Sequence, residues 1–189
     1  MTDTPQSLSD SEIAAIARRI DRPIVLVGLM GVGKSTVGRK LATLIGRDFV
    51  DADEAVEDAA QMTIPEIFEQ FGEACFRDGE RRVIARLMEE RHGVIATGGG
   101  AFVNDETRAQ ILDQAIAVWI DADIDTLVER TSRKDNRPLL RNGDPREILS
   151  RLHQDRAPYY SQAQIRVTSE EGPHIETALA ILEAIDRWL

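Results

Sequence analysis

Short apolar runs alternate along the chain with longer segments in which apolar residues recur every three or four positions. The short runs, which are rich in valine and isoleucine, favour β-strands, and the longer segments favour amphipathic helices. Strands that alternate with helices in this way are typical of a parallel sheet covered by helices on both faces. The predicted strands are residues 24–27, 49–51, 94–96, 117–120 and 165–168.

Helix signals are present near both ends of the chain. Ser9 and Glu12 have the spacing of a capping box ahead of three isoleucines, which predicts a short helix in an N-terminal extension, residues 1–22. A solvated tail with a fraying helix is the alternative, and we assign this extension no chemistry. Further along, two segments carry apolar residues on one helical face. These faces consist of Val83, Ile84, Leu87 and Met88 and of Ile175, Leu179, Leu182 and Ile185.

One stretch interrupts the alternation of strands and helices. Residues 131–146 are mostly polar or charged and contain two prolines and a glycine, which predicts a surface loop or lid. The remaining pattern continues without a linker or repeat, so we expect residues 23–189 to form a single domain.

Length and composition limit the class of protein. With 189 residues the chain is long enough for one well-packed domain, and its 42% hydrophobic content is too high for a disordered protein. The formal charge of -10 argues against binding to nucleic acid or to an anionic membrane, because such surfaces need clustered lysine and arginine. Cys75 is the single cysteine, and no signal peptide or membrane-spanning run is visible, so we expect a cytoplasmic protein, and a monomer.

The first predicted strand leads directly into the sequence GLMGVGKST. Gly28, Gly33, Lys34 and Ser35 fit the pattern G-x-x-x-x-G-K-[ST] between an apolar strand and an amphipathic helix. Glycines let backbone N–H groups turn towards phosphate oxygens, and the helix N-terminus adds the positive end of its dipole. The motif predicts a nucleoside triphosphate site in which Lys34 reaches the β- and γ-phosphates and Ser35 ligates Mg²⁺. ATPases, GTPases and small-molecule kinases share this loop, so other residues must identify the acceptor.

The second predicted strand closes on two carboxylates, Asp51 and Asp53. We expect both side chains on one face of the strand, at the edge of the sheet where the phosphates lie. One could hold Mg²⁺ through water, and the other could accept the proton of an attacking hydroxyl group. Capping of a helix that begins at Glu54 is the alternative, and it could coexist with catalysis.

Two further motifs are candidates for the acceptor site. We expect Phe76 to open a helix on which Arg77 and Glu80 share one face, so that Arg77 could bind a substrate carboxylate while Glu80 holds it in place. The triple glycine of residues 98–100 follows the third strand and would let a ligand approach the backbone closely. A solvated ion pair and a simple turn are the respective alternatives.

Basic residues surround the predicted lid although the chain is acidic overall. Phosphoryl transfer needs cations at the transferring oxygens, and a lid arginine could deliver one as closure expels water. Each of these arginines alone could equally serve solubility. They are Arg130, Arg137, Arg141 and Arg156. The histidines show no metal-ligand spacing, and we interpret them as surface or helix-cap residues. They are His92, His153 and His174.

Together these residues resemble the shikimate kinase family. The resemblance rests on GLMGVGKST, the D-x-D pair, FR-x-x-E, the triple glycine, RPLL in the lid and a later R-x-x-x-Y, and it runs from about residue 23 to the C-terminus. It implies an α/β, three-layer P-loop fold of the adenylate-kinase type, with a five-stranded parallel sheet flanked by helices and a mobile lid. It also implies Mg²⁺-assisted transfer of the γ-phosphoryl group of ATP to the 3-hydroxyl of shikimate in aromatic amino-acid biosynthesis.

The resemblance implies roles in catalysis and nucleotide binding. Asp53, Lys34 and Arg137 are the implied catalytic residues, with Asp53 beside the accepting hydroxyl and the two cations at the phosphates. Ser35 and Asp51 match the Mg²⁺ shell, the latter through water. The implied nucleotide-binding residues are Gly31, Val32, Gly33, Lys34, Ser35, Thr36, Arg130, Arg137 and Pro173.

The resemblance also implies an acceptor pocket. Arg77 and Arg156 would bind the shikimate carboxylate, two phenylalanines would form apolar walls, and a glutamate would support the arginines. The implied shikimate-binding residues are Asp53, Phe68, Phe76, Arg77, Glu80, Gly98, Gly99, Gly100 and Arg156.

Three other functions are alternatives to this one. A kinase of another small polyol acid, such as gluconate, shares the P-loop and the lid, but FR-x-x-E and the triple glycine argue against it. A nucleotide-dependent switch would carry D-x-x-G and N-K-x-D motifs, and the sequence contains neither. A degenerate relative kept for interaction would be expected to lose Lys34, Asp53 or Arg137, and all three are present.

Overall fold

The structure is a computed structural model that describes residues 8–133, 140 and 142–189. Within these residues, five parallel strands form one sheet. The strands are β1 (Ile24–Val27), β2 (Phe49–Asp51), β3 (Val94–Ala96), β4 (Ile116–Asp121) and β5 (Ile165–Thr168). Four of them have the predicted bounds, and β4 extends one residue further at each end. All six residues of β4 are buried, as expected for a strand covered by helices on both faces.

The order of the strands, β2-β3-β1-β4-β5, determines where a ligand can bind. Strands β1 and β3 are parallel neighbours, so the loops that follow them leave the same edge of the sheet side by side. The direction in which the chain adds strands reverses around β1. In open parallel sheets, ligands bind outside the carboxyl ends of the strands at such a point.

Helices cover the sheet, and most begin at a side chain that accepts a backbone N–H bond. Asn104, Asp123 and Asp144 are examples of this capping. The helices of the described residues are α1 (Asp10–Arg19), α2 (Lys34–Ile45), α3 (Ala52–Ala60), α4 (Ile64–Glu89), α5 (Asp105–Gln114), α6 (Ile124–Ser132), α7 (Pro145–Tyr160) and α8 (His174–Trp188). In this part of the chain, no helix combines the length and the apolar character that crossing a membrane requires.

Helix α1 is packed onto the body of the protein. The predicted capping box is present at its start. Ile13 and Ile16 are buried, and the helix packs against α2 and α8. At its C-terminal end, the guanidinium group of Arg47 donates a hydrogen bond to the carbonyl oxygen of Ile20. The alternative of a fraying helix in a solvated tail is therefore wrong for residues 10–19.

Helix α4 is broken at Gly72, whose backbone angles are φ 81° and ψ 172°. The helix begins at Ile64, where Thr63 forms a capping box with the third helical residue, Glu66. The prediction that Phe76 opens this helix is therefore wrong, because Phe76 lies one turn beyond the break. The exposed Cys75 precedes it on the same helix.

The predicted lid falls partly on residues whose structure is not described. Helix α6 ends at Ser132 and α7 begins at Pro145. Arg137 and Arg141 lie outside the described residues. The lid and the roles of these arginines therefore stay predictions.

Candidate active site

The loop after β1 depends on glycine for its curvature. Gly28, Gly31 and Gly33 have φ angles of 141°, 86° and 92°, a region that residues with a Cβ atom rarely adopt. The space beside the loop is closed as well. A Cβ atom on Gly31 would lie 2.9 Å from the Cγ2 atom of Thr131. The backbone therefore curls into the concave loop that the motif predicts.

Helix α2 begins directly after this loop and points its N-terminus into the concavity. Gly33, its N-cap residue, has no side chain to occupy the N–H groups of the first turn, and no acidic residue lies in that turn. The first N–H groups of a helix lack partners within the helix, so this end is suited to binding an anion. The ammonium group of Lys34 lies against the loop and donates to the carbonyl oxygens of Gly28 at 2.7 Å and Leu29 at 2.9 Å. Residues 31–36 are thus brought together around one cradle.

Ser35 and Asp51 meet beside this cradle. The hydroxyl group of Ser35 donates to Oδ2 of Asp51 at 2.7 Å. The other carboxylate oxygen of Asp51 accepts the backbone N–H of Asp53 at 2.9 Å, and α3 starts at Ala52. The prediction that Asp51 and Asp53 share a strand face is therefore wrong. Asp51 ends β2, and because its side chain caps the next helix, Asp53 lies in the first turn of α3.

Asp53 has an unusual electrostatic environment. Burial raises the pKa of its carboxyl group above the ordinary value of 3.8, and the charge of Asp51 raises it further. Lys34 and Arg77 act in the opposite direction. A carboxylate with a raised pKa is better matched to accepting a proton near neutral pH. Asp51 therefore caps α3, and Asp53, in the first turn of the same helix, is the candidate base.

The triple glycine forms the floor of the candidate acceptor pocket. Just before it, the buried Thr97 donates its hydroxyl hydrogen to the carbonyl oxygen of Leu26 at 2.9 Å, which fixes the turn beside β1. The central glycine, Gly99, also lies close to the phosphate loop, since a Cβ atom on it would be 3.7 Å from the carbonyl oxygen of Gly28. Acceptor pocket and nucleotide cradle therefore share one wall.

Each glycine of this floor faces a different predicted acceptor-binding side chain. A Cβ atom on Gly98 would lie 2.8 Å from Oδ1 of Asp53. A Cβ atom on the second glycine, Gly99, would lie 2.9 Å from Nη1 of Arg156. On the third it would overlap the guanidinium group of Arg77. Larger residues would push these three groups away, so the glycines are more than a simple turn.

Arg77 is held by a buried carboxylate. Its Nη1 atom donates to Oε1 of Glu80 at 2.8 Å, and Glu80 is only 1% exposed. Burial raises the pKa of Glu80, while the neighbouring Arg77 lowers it. The second oxygen of Glu80 has no hydrogen-bond partner among the described residues. The alternative of a solvated ion pair is therefore wrong, because Glu80 is buried. Its carboxylate fixes the orientation of the Arg77 guanidinium group.

The break in α4 brings two predicted wall residues together. The ring centroids of Phe68 and Phe76 lie 4.8 Å apart. In an unbroken helix, eight residues would separate them by about 12 Å along the axis, so the bend at Gly72 accounts for this contact. Phe76 is buried, whereas Phe68 is 37% exposed. The guanidinium carbon of Arg77 lies 5.1 Å from the centre of the Phe76 ring.

Arg130 joins the phosphate loop to the loop after β5. Its guanidinium group donates to the carbonyl oxygen of Val32 at 3.2 Å, to the hydroxyl of Ser169 at 3.1 Å and to the carbonyl oxygen of Glu170 at 3.0 Å. The exposed Pro173 is the N-cap residue of α8, which follows the same loop. The predicted adenine contacts therefore lie on connected elements.

All three histidines have contacts that the sequence does not indicate, and His92 lies against the carboxylates of Asp48 and Glu90. The ring of His174 lies against Gly33, and its Nδ1 atom is buried without a hydrogen-bond partner among the described residues. Burial lowers the pKa of His174, as does the nearby Arg130. His153 lies 3.1 Å from the carboxylate of Asp121. The contact between His174 and Gly33 joins distant parts of the chain, so no spacing in the sequence indicates it.

A family model described as shikimate kinase matches residues 30–186 of the chain. This chain belongs to the shikimate kinase family. The shikimate kinase of Novosphingobium aromaticivorans is 63% identical to it over 186 residues, which are 96% of this chain and 96% of the relative. The chain is therefore an ATP-dependent phosphotransferase that acts on shikimate, and the predicted family and activity are confirmed.

Solved structures agree with this assignment. Shikimate kinase from Acinetobacter baumannii, solved in complex with shikimate, has a TM-score of 0.83 and 38% identity, over 88% of this chain and 93% of that one. A gluconokinase from Sinorhizobium meliloti has a TM-score of 0.59 and 17% identity, over 89% of this chain and 93% of its own. At that identity the gluconokinase shows only that the fold is shared. The predicted α/β fold with its five-stranded parallel sheet is confirmed.

Proposed function

We propose that the pocket above residues 98–100 binds shikimate and presents its 3-hydroxyl group to ATP held on the phosphate loop. The observation that carries this proposal is the floor of three consecutive glycines, over which Asp53, Arg156 and Arg77 each occupy one position. Two cations and one carboxylate suit a small acid with several hydroxyl groups. Arg77 and Arg156 bind its carboxylate, since guanidinium groups match carboxylates in charge and geometry.

The reaction takes place where the acceptor pocket and the nucleotide cradle meet, between the 3-hydroxyl group of shikimate and the γ-phosphoryl group of ATP. The oxygen of the 3-hydroxyl forms a bond to the γ-phosphorus, and the bond from that phosphorus to the oxygen bridging the β-phosphate breaks, which gives shikimate 3-phosphate and ADP. Asp53 orients the hydroxyl and accepts its proton, which leaves late if the transition state is loose. Lys34 and Arg137 stabilise charge on the transferring group. Phe68 and Phe76 exclude water from the acceptor side.

Ser35 and Asp51 suit a magnesium ion. They place a hydroxyl and a carboxylate oxygen 2.7 Å apart beside the phosphate cradle, and oxygen atoms are the ligands that Mg²⁺ prefers. Within residues 8–133, 140 and 142–189, no group of three or more His, Cys, Asp or Glu side chains could form a metal cage. This agrees with an ion bound by few protein atoms together with phosphates and water. When bound, Mg²⁺ neutralises charge on the β- and γ-phosphates.

The experiment that tests this function is ADP release by the purified protein with ATP and Mg²⁺. The acceptors compared are shikimate, gluconate, a nucleoside monophosphate and none. We expect release that depends on shikimate alone, with the phosphate on the 3-oxygen by NMR. Release with gluconate, or equal release without acceptor, would overturn the assignment of the pocket.

We also propose that the protein acts as a monomer in the cytoplasm. The single cysteine, Cys75, suits a reducing compartment such as the cytoplasm. Sedimentation velocity at assay concentrations checks the oligomeric state, and a stable dimer would overturn it.

A further inference from the structure

Tyr160 reaches the floor of the acceptor pocket from beneath. It is the last residue of α7 and is 1% exposed. Its hydroxyl group donates a hydrogen bond to the carbonyl oxygen of Gly99. The guanidinium group of Arg156 lies against the same glycine, since a Cβ atom on Gly99 would be 2.9 Å from its Nη1 atom. One buried phenol is thus bonded to the pocket-floor residue against which a predicted acceptor-binding arginine lies.

The core fixes the position of this hydroxyl group. The ring of Tyr160 packs against Trp119 of β4, with ring centroids 5.8 Å apart. Burial also raises the pKa of Tyr160 above its ordinary value of 10.0, so the hydroxyl keeps its hydrogen and remains a donor at neutral pH. A rigid aromatic ring therefore holds a polar atom at a defined point under Gly99.

Arg156 needs such an anchor. It lies four residues before Tyr160, so both side chains leave the same face of α7. An arginine side chain has considerable rotamer entropy, which weakens binding unless its neighbours fix its orientation. Nη1 of Arg156 already lies close to Gly99.

We propose that Tyr160 is a positioning residue of the acceptor site, which holds the Gly99 carbonyl and the Arg156 guanidinium group in the arrangement that binds the acceptor carboxylate. This inference rests on the proposed role of Arg156. Tyr160 itself does not touch the substrate. It acts through Gly99 and through the arginine that lies against this glycine.

The test compares the substitution Tyr160→Phe with Tyr159→Phe. Tyr159 is the matched control, because it is the neighbouring tyrosine of the same helix and its ring lies under the guanidinium group of Arg108, 5.2 Å away, outside the pocket floor. For Tyr160→Phe we expect the KM for shikimate to rise about fivefold, as for the loss of one hydrogen bond. The KM for ATP should stay within about twofold, and Tyr159→Phe should change neither.

A double-mutant cycle shows whether Tyr160 acts through Arg156. In an Arg156→Ala background, Tyr160→Phe should add less than about twofold to the KM for shikimate. The ratio of kcat/KM for shikimate to that for its carboxamide should fall in Tyr160→Phe, and this ratio does not depend on the fraction of folded protein. The full fivefold effect in the Arg156→Ala background, or an unchanged ratio, would overturn the proposal. Failure of the wild-type protein to use shikimate would instead overturn the proposed function.

Discussion

Asp53, the proposed catalytic base, lies in surroundings that disfavour its charged form and so cost the folded protein stability. Burial and the adjacent Asp51 raise the pKa of its carboxyl group, whereas Lys34 and Arg77 lower it. The balance leaves a base whose charged form is less well stabilised than in water. Substitution at this position should therefore affect turnover and stability in opposite directions.

Turnover is the first quantity to measure in Asp53→Asn. We expect kcat to fall by about 100-fold or more, because an amide cannot accept the hydroxyl proton. The affinity for ATP should change little, since the nucleotide rests on other residues. ADP-release assays measure kcat, and isothermal titration calorimetry measures the affinity for ATP. Asp58→Asn on the exposed side of α3 is the matched control and should keep wild-type turnover. A parallel loss of ATP affinity would contradict the assigned role.

Thermal stability is the second quantity to measure in Asp53→Asn. The folded protein binds the Asp53 proton more tightly than the unfolded chain does, because the pKa of Asp53 is raised on folding. Protonation of Asp53 therefore stabilises the fold. This stabilisation is fully present below the unfolded pKa of about 3.8 and is lost as the pH rises through the raised pKa of the folded state. Asparagine does not ionise. The variant should therefore have a higher Tm than wild type at neutral pH, and the difference should shrink as the pH falls towards 4. A difference that does not depend on pH would contradict the raised pKa.

Arg77 and Glu80 form an ion pair. Glu80 is buried, so its negative charge depends on Arg77, whereas Arg77 is partly exposed to solvent. In Arg77→Ala, we expect the KM for shikimate to rise about tenfold or more through loss of a charge-assisted hydrogen bond. The Tm should also fall, because Glu80 keeps its buried position without a counter-charge. The double variant Arg77→Ala with Glu80→Gln should recover Tm but not KM. Recovery of KM in the double variant would mean that Arg77 does not contact the acceptor.

The sequence predicts the residues of this site better than their local geometry. Lys34, Ser35 and Arg77 can be proposed from the sequence because phosphate binding and carboxylate binding require those residue types at fixed spacings. The placement of Asp53 on a helix was missed, because it depends on which N–H groups the Asp51 side chain accepts. The contact of His174 with the phosphate loop joins distant parts of the chain, and no local spacing signals it. The role of Arg137 remains a prediction.

At the scale of elements, the bend in α4 sets the shape of the proposed acceptor wall. Gly72 has a φ angle of 81°, and a Cβ atom placed on it would have nothing within 4 Å. The position is therefore restricted by backbone conformation alone. The contact between Phe68 and Phe76 follows from this single residue.

Gly72→Ala tests the bend without adding a steric clash. We expect it to destabilise the protein by about 1–3 kcal/mol, since a residue with a Cβ atom must hold a left-handed φ or straighten the helix. Straightening would separate the two rings and raise the KM for shikimate. Gly79→Ala is the matched control in the same helix, with open space and ordinary helical backbone, and should stabilise by up to about 1 kcal/mol. Urea denaturation of both variants measures the difference, and equal effects would contradict a role for the bend.

The sheet was easier to predict than the helices. Strands such as β1 and β4 are buried on both faces, so they appear in the sequence as uninterrupted apolar runs. Helix α4 has a weaker pattern because it bends and contributes to a pocket as well as to the core. Its start at Ile64 depends on a capping box that lies outside any apolar run.

At the scale of the whole molecule, α1 connects the two ends of the chain. Arg19 of α1 forms an ion pair with Asp186 of α8, and Arg47 holds the carbonyl end of α1. The isoleucines of α1 belong to the same core cluster as the strands. The extension therefore contributes to stability, although the site does not need its side chains.

Ile16→Ala measures this contribution. Ile16 is 5% exposed, and we expect a loss of about 2–5 kcal/mol in the free energy of unfolding because a buried side chain is replaced by a cavity. Arg18→Ala on the exposed face should change stability by less than about 0.5 kcal/mol. Well below the Tm, both variants should keep wild-type kcat. An unchanged free energy of unfolding in Ile16→Ala would mean that α1 is not packed in solution.

The exposed Cys75 provides a built-in attachment point for a spectroscopic probe. It is the only cysteine of the chain, and it lies two residues before Arg77 on the helix that forms the acceptor wall. A maleimide fluorophore would therefore label the wild-type sequence at one defined place, on the helix that carries the arginine expected to meet the incoming acid. Titration with shikimate would report occupancy of the pocket directly, without ATP and before any phosphoryl group has moved.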